Sequence, residues 1–330
     1  MARDVHERPL GQTGVSVSEI GFGAWGIGGG WGQTDDDESL DALRRALDLG
    51  ISLIDTAWVY GEGRSERLIG HVLAERGDDT TFVATKIPPM DRQWPAQPGV
   101  RADQAFPASH VRARTEESLR RLGREQIDLQ QFHVWSPGWL GDGDWASEIA
   151  RLKEEGKIRF FGVSINDHEP GSAVELVRSG LVDTVQVIYN VFDQSPEDEL
   201  FPACIEHGVG VLARVPLDEG ALTGTITPDS TFDDGDWRAS YFGGDRLRQV
   251  EEHVQALLDE LGVDRPVLPE VALRYVLSHE AVSAVIPGMR KVRNVERNVA
   301  IGDGRGLPAA QVEALHRHRW IRNFYDDPED

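Results

Sequence analysis

The 330-residue chain carries 40% apolar and 27% charged residues, enough for a sizeable core in two ordinary domains or in one large α/β barrel. Its net charge of −22 makes nucleic acid and anionic membranes poor partners, and no apolar run reaches the ~18 residues that a transmembrane helix needs. The first eight residues lack the apolar stretch of a secretory signal, and the single cysteine, Cys204, excludes an internal disulfide and fits a reducing cytoplasm. Lysine occurs only at positions 86, 153, 157 and 291, every other basic position being Arg or His. Abundant acid with scarce Lys has two open origins, a high-salt cytoplasm and a GC-rich genome.

The chain opens on a hairpin signal: Pro9-Leu10, the turn Gly11-Gln12-Thr13-Gly14, then the alternating Val15-Ser16-Val17-Ser18. A buried run, Ile20-Gly21-Phe22-Gly23, follows. Leu40, Leu43, Ala46 and Leu47 recur at threes and fours and predict a helix over 36–49, stopped by Gly50. A strand is expected over 51–55, then a helix over 65–75 with Ser65 as its N-cap and Gly77 past its end. The strand over 81–86 leads into a Pro- and Gly-rich loop over 87–106, and a helix starts at Pro107 and runs to Leu122. A strand over 127–133 precedes a helix over 145–155, and a strand over 158–164 precedes a helical stretch over 169–179 with Pro170 in its first turn. The strand over 184–188 is followed by a helix over 196–207, on which Cys204 reads as a buried small hydrophobe. After the strand over 210–213 a long loop runs to Tyr241, then come helices over 244–261 and 269–277. The last strand covers 284–286, with terminal helices over 291–299 and 308–320.

Eight strands, each followed by a helix, imply a parallel sheet closed into a (β/α)8 (TIM) barrel, capped by the N-terminal β-hairpin and finished by C-terminal helices. No repeat, low-complexity tract or linker divides the chain, so one domain over 1–330 is expected. Such barrels place chemistry at the carboxyl ends of their strands. Asp55, Lys86, His133, Ser164, Gln186 and Arg214 fall at those ends, and Tyr60 follows Asp55 by five residues. The run Gly21-Phe22-Gly23-Ala24-Trp25-Gly26 matches the dinucleotide pattern G-x-G-x-x-G. That motif needs a helix opening inside it, whereas Ile27-Gly28-Gly29-Gly30-Trp31-Gly32 follows and the first long helix begins about ten residues late. A strand and loop at a barrel mouth is the better reading.

One charged residue after a strand is ordinarily solvated, but an acid, a phenol, an ammonium and an imidazole at one rim form a proton-donating site for carbonyl chemistry. A Lys ammonium beside a Tyr hydroxyl stabilises phenolate and lowers the pKa, a carboxylate keeps the Lys charged, and an imidazole can hydrogen-bond the same substrate oxygen. A zinc site is disfavoured: His133-Val134-Trp135 lacks the second His of an H-x-H pair and Cys204 lies elsewhere.

The order Asp55-Thr56-Ala57-Trp58-Val59-Tyr60, then Thr85-Lys86, then His133 resembles the aldo-keto reductase family. The resemblance covers nearly the whole chain, from Leu10-Gly11-Gln12-Thr13-Gly14 through Ser65-Glu66 to Ile286-Pro287-Gly288. It implies Tyr60 as general acid/base, Lys86 lowering its pKa, Asp55 paired with Lys86, and His133 positioning the carbonyl. It implies hydride transfer without a metal from NADPH to a small aldehyde or ketone, or the reverse reaction on an alcohol or sugar. Gly162-Val163-Ser164-Ile165-Asn166 resembles the strand end whose Ser and Asn hold the nicotinamide amide. Ile165 stands where Asn is usual, so either Asn166 reaches the amide or a backbone group substitutes. Gln186 matches a second contact to that amide. Arg214 replaces a stacking aromatic, for which a planar guanidinium can serve, on a segment running to Leu217. Gly288, Arg290, Lys291, Asn294 and Asn298 resemble the adenine-end loop. Its basic helix start suits a 2′-phosphate and so favours NADPH over NADH. Trp25, Trp58 and Trp135 are expected in the substrate pocket, although Val134 intervenes where the family often has Trp directly after the His. An alternative from another class is a nicotinamide-binding sensor or regulatory subunit with marginal turnover, like the channel-associated members.

Overall fold

The computed structural model describes residues 5–29 and 34–321. Strands β1 (Glu7–Pro9) and β2 (Ser16–Ser18) form an antiparallel hairpin, its turn stapled by the Leu10 N–H donating to the Val15 carbonyl at 2.8 Å. Eight parallel strands follow in spatial order: β3 (Phe22–Gly23), β4 (Leu53–Asp55), β5 (Phe82–Ile87), β6 (Ile127–Phe132), β7 (Ile158–Ser164), β8 (Thr184–Ile188), β9 (Gly210–Arg214) and β10 (Val282–Val285). The two edges meet. The Gly21 N–H donates to Val285 O at 2.8 Å, Val285 N–H to Glu19 O at 2.9 Å and Gly23 N–H to Pro287 O at 3.1 Å, closing the (β/α)8 barrel. A Cβ on Gly23 would stand 2.6 Å from the Ile286 carbonyl oxygen, so only glycine allows that seam to close.

The helices are α1 (Trp25–Gly28), which lies at the mouth, and α2 (Asp36–Asp48), α3 (Arg64–Arg76), α4 (Ala102–Ala105), α5 (Ala108–Leu122), α6 (Trp145–Glu154), α7 (Val174–Arg178), α8 (Leu200–His207), α9 (Arg238–Tyr241), α10 (Arg246–Leu261), α11 (Leu268–Leu277), α12 (Val292–Val299) and α13 (Ala309–His316). Local sequence sets their ends. The Asp35 carboxylate accepts the Glu38 N–H ahead of α2, whose first turn carries Asp36, Asp37 and Glu38 against the helix dipole, and Gly77 ends α3 in the left-handed region.

Alternation along the strands divides the barrel interior into two zones. Its floor is apolar: Leu53, Phe82, Ala84, Leu129, Leu212, Ala284 and Ile286 pack with Leu10 and Val17 of the hairpin, which plugs the amino-terminal end. The same faces turn polar toward the mouth, so Leu53 is followed by Asp55, Ala84 by Lys86, Leu129 by Gln131, and Leu212 by Arg214. Arg8 fastens the plug, donating to the Leu277 carbonyl at 2.7 Å and pairing with buried Glu19 at 2.8 Å, while Glu19 accepts the Gly304 N–H at 2.7 Å.

Several expectations are corrected. A single helical turn, α1, forms inside the first glycine run, where no helix was expected; Gly29 ends it at φ 105°. The later residues of that run, Gly30, Trp31 and Gly32, lie outside the described residues. The stretch over 169–179 splits into a 3-10 turn, Pro170–Ala173, and the short α7; Pro170 is tolerated in the first turn, while Gly171 costs helix entropy. The two long loops are not structureless: the first contains α4, the second a 3-10 segment, Asp218–Thr223, and α9. Burial pushes the Cys204 thiol up to about 12, which keeps it an inert core side chain. No described helix is long and apolar enough to cross a membrane.

Candidate active site

The turn after β4 carries the most specific sequence motif. Its backbone continues the pairing with β5: the Thr56 N–H donates to Ala84 O at 2.8 Å and the Trp58 N–H to Lys86 O at 3.0 Å. A tight turn then closes, Tyr60 N–H on Ala57 O at 3.1 Å, and presents the phenol over the mouth. Gly28 lies behind it, where a Cβ would meet the Tyr60 backbone at 2.8 Å. Ser65 and Glu66, at the start of α3, lock this turn in place. The Ser65 hydroxyl donates to Ala24 O at 3.0 Å and shares a hydrogen bond with Thr56 Oγ1 at 2.8 Å. Buried Glu66 accepts Thr85 Oγ1 at 2.7 Å and pairs with Arg121 at 3.2 Å, and Arg121 also donates to the Trp58 carbonyl.

Asp55, Tyr60, Lys86 and His133 converge. Lys86 is fully buried, and its Nζ donates to Asp55 Oδ1 at 2.5 Å, to Thr56 O at 2.8 Å and to the Tyr60 hydroxyl at 3.4 Å. The second Asp55 oxygen accepts Gln186 Nε2 at 2.8 Å and Gln131 Nε2 at 3.4 Å. The buried carboxylate is therefore satisfied on both sides, as a buried charge must be. His133, held by its backbone N–H on Ile87 O at 2.9 Å, stands edge-on to Tyr60 with ring centroids 5.7 Å apart.

The electrostatics differ in one respect from the simple pairing argument. Burial raises the Tyr60 hydroxyl above its ordinary pKa, and the Lys86 ammonium pulls it down without overcoming that burial. Lys86 thus limits the rise rather than producing a net lowering. Burial, then the charges of Lys86 and Arg214, hold the His133 imidazole well below its ordinary value, so it is neutral through the physiological range. Its Nδ1 is buried without a hydrogen-bond partner among the described residues, and so is Arg214 Nε.

These groups line a cavity of about 840 Å³ that runs from Asp55, Tyr60 and His133 across Ser164, Asn166 and Gln186 to Gly288, Arg290 and Asn294. Trp25, Trp58, Arg214 and Leu217 are also on its wall. Trp58 is fixed by its indole N–H on Glu117 at 2.9 Å and by the guanidinium groups of Arg114 and Arg121, 4.4 and 4.7 Å from its ring. Arg214 donates to Ile165 O at 2.8 Å and pairs with Asp167 at 2.6 Å.

Four expected site residues lie off the cavity wall, one of them Lys86, which is fully buried and reaches Asp55 and the Tyr60 hydroxyl. Trp135 is buried in the outer core, edge-on to Trp139 and Trp145 at 5.8 and 5.7 Å, because β6 ends at Phe132 and strand alternation no longer governs the residues beyond His133. Lys291 pairs with Glu38 of α2 at 3.3 Å, and Asn298 is buried on α12. Among the wall residues that the sequence reading did not assign to the site are Trp94 and Glu219. Trp94 reaches in from the loop after β5 and meets the His133 ring edge-on at 5.6 Å. Glu219 sits beside Arg214 at φ 52°, and burial with the neighbouring Asp167 and Asp218 charges pushes its carboxyl up to about 8. Trp94 had a signal in its Trp-Pro loop context; Glu219 had none.

An eight-stranded barrel with its titratable side chains gathered at the carboxyl mouth is the architecture of a (β/α)8 enzyme. The model of the Aldo/keto reductase family matches residues 19–319, and the chain belongs to that family of oxidoreductases. It is 33% identical over 329 residues to the aldo-keto reductase YhdN of Bacillus subtilis (strain 168), covering 97% of this chain and 94% of the relative. It is 31% identical over 312 residues to the NADH-specific methylglyoxal reductase of Escherichia coli (strain K12), covering 88% of this chain and 92% of that one. The structure of the aldo-keto reductase AKR11C1 from Bacillus halodurans, in its holo form, superposes with a TM-score of 0.75 at 27% identity, over 96% of each chain.

Proposed function

We propose that the chain reduces small aldehydes or ketones, or oxidises the corresponding alcohols or sugars, with Tyr60 as general acid/base. The observation that carries this reading is the contact of Lys86 Nζ with both Asp55 and the Tyr60 hydroxyl at the edge of the cavity. The protonated phenol and the neutral imidazole of His133 can both hydrogen-bond one carbonyl oxygen as it gains charge. Lys86, held charged by Asp55, stabilises the phenolate left after proton donation.

The wall residues suit a nicotinamide dinucleotide. The cavity is of the size of small-molecule sites, and the unpartnered polar atoms of His133 and Arg214 are of the kind that bound polar groups satisfy. Bound NADPH would supply the hydride to the carbonyl carbon. Ser164, Gln186, Arg214 and Leu217 would hold its nicotinamide half, and Gly288, Arg290 and Asn294 its adenine half. The test is a panel of aldehydes, ketones and sugars followed by nicotinamide absorbance, with NADPH and NADH in parallel; no turnover on any member would refute the reading.

NADPH is the preferred cofactor in this proposal, with Arg290 rather than Lys291 facing the 2′-phosphate, since only Arg290 lines the cavity. Arg290→Ala is expected to weaken NADPH binding by about tenfold or more, the value of one charge-assisted hydrogen bond, and to leave NADH nearly unchanged. Calorimetric titration giving equal losses for both cofactors contradicts the assignment.

The pKa directions fix a pH profile. His133 lies below the ordinary imidazole value, so it contributes no acid limb near neutrality, and Tyr60 lies above the ordinary phenol value, so it stays protonated until strongly alkaline pH. The rate of reduction is expected to be flat through neutral pH and to fall only on the alkaline side, while oxidation, which needs the phenolate, rises in that direction. A reduction profile with a limb in the ordinary imidazole range contradicts the neutral His133.

A further inference from the structure

We propose that Asn166 is a positioning residue for the carbonyl substrate, acting through Trp94, rather than a ligand of the cofactor amide. The inference rests on the reductase reading above. The Asn166 side chain is 5% exposed, and its amide is already committed. Its Oδ1 accepts the Ala96 N–H at 3.2 Å, and its Nδ2 donates to Ala96 O at 3.5 Å and to Glu169 Oε2 at 3.0 Å. A primary amide has two donor hydrogens, and both are used. Donating to a second amide would require releasing the loop, and only one Oδ1 lone pair is left to accept from it.

That loop needs the restraint. It joins β5 to α4, and among the described residues the hydrogen bonds tying positions 91–99 to the rest of the barrel are those of Asn166. The paired contacts to the N–H and carbonyl of Ala96 grip the backbone two residues beyond Trp94. They set the Trp94 ring, 37% exposed, edge-on to His133 at an interplanar angle of 89°. Trp25 lines the same cavity, 6.5 Å from the Tyr60 ring. A carbonyl bound at Tyr60 and His133 would carry its substituent past Trp94 and Trp25, a setting for flat, apolar groups. Ile165, standing where Asn is usual, supports this geometry: its carbonyl is taken by Arg214 at 2.8 Å, and the amide next in sequence turns to the loop. The clasp thus couples the loop after β5 to the loop after β7.

The test compares Asn166→Ala, Trp94→Ala and the double variant with wild type, using 4-nitrobenzaldehyde and propanal as probes. Asn166→Ala is expected to raise KM for the aromatic aldehyde about tenfold, with little change for propanal, kcat within about threefold and cofactor Kd within about twofold. In the Trp94→Ala background the same substitution should add little, since residues acting through one contact are non-additive. A tenfold rise in cofactor Kd with KM unchanged overturns the proposal in favour of the cofactor role. Hydrogen exchange over 91–99, measured without substrate, separates this inference from the functional reading. Faster exchange in Asn166→Ala supports the clasp even if wild type reduces no carbonyl, and unchanged exchange overturns the clasp whatever the kinetics.

Discussion

Replacing Tyr60 by Phe is expected to lower carbonyl turnover by about 10²–10⁴-fold while cofactor affinity stays within about twofold. The substitution removes one oxygen and little else. The ring keeps its place over the mouth, its edge toward His133 and its neighbour Trp25, because the backbone turn and Ser65 hold it. What disappears is the hydroxyl that Lys86 Nζ touches at 3.4 Å. A group that donates its proton only as charge develops on the substrate oxygen stabilises the transition state and not the bound cofactor, so the loss should fall on kcat. Residual activity belongs to His133, which can still hydrogen-bond the oxygen. Wild-type turnover in the Phe variant, under conditions where chemistry limits the rate, would remove Tyr60 from the mechanism.

Lys86→Met should cost both activity and stability. The ammonium is fully buried and answers the buried Asp55 carboxylate. Without it Asp55 keeps only the amides of Gln186 and Gln131, and an uncompensated buried charge costs about 3–5 kcal/mol. At about 2–4 °C per kcal/mol for a chain somewhat shorter than this one, calorimetry should show the melting temperature falling by roughly 10 °C. Turnover should fall by a factor of about 10² or more, because Tyr60 loses the cation that limits its pKa rise. The double variant Asp55→Asn/Lys86→Met separates the two effects. With no buried charge left to strand, stability should largely return, since replacing a whole buried pair is often near neutral, while activity should not. A single variant as stable as wild type would show that the pair does not support the fold.

The barrel was legible because its strands obey one rule. Each short apolar strand is followed by a helix, which implies a parallel sheet with its chemistry at the strand ends, where Asp55 and Lys86 stand above Leu53 and Ala84. Asp55 and Lys86 lie within the carboxyl ends of β4 and β5, whereas Tyr60 stands in the turn beyond β4 and His133 one residue beyond β6. The rule stops where the strands stop. Trp135 has the parity of His133, yet its ring lies in the outer core, while Trp94 reaches His133 from a loop with no periodicity. Glu219 depends on left-handed backbone at Asp218 and Glu219, a region that side-chain identity seldom announces outside glycine. Arg290 and Lys291 are adjacent and equally basic, and only packing against α2 separates the one on the cavity wall from the one paired with Glu38. The net pKa of Tyr60 is a balance between burial and Lys86, and sequence shows the partner without showing the burial.

The seam that closes the barrel also sets a timetable for biosynthesis. Residues 19–23 pair with 285–288, so β3 meets its second neighbour only after more than 260 further residues have been made. At about 5–20 residues per second the nascent chain spends roughly 10–50 s as a growing sheet with two bare edges. The Leu10–Val17 plug is incomplete in the same interval, since Leu212, Ala284 and Ile286 of its packing partners arrive late. Unpaired edges recruit other strands, so nascent copies on neighbouring ribosomes are the nearest wrong partners. Any pause in translation between β9 and β10 extends that window, and the last strand to emerge seals the sheet that the first one opened.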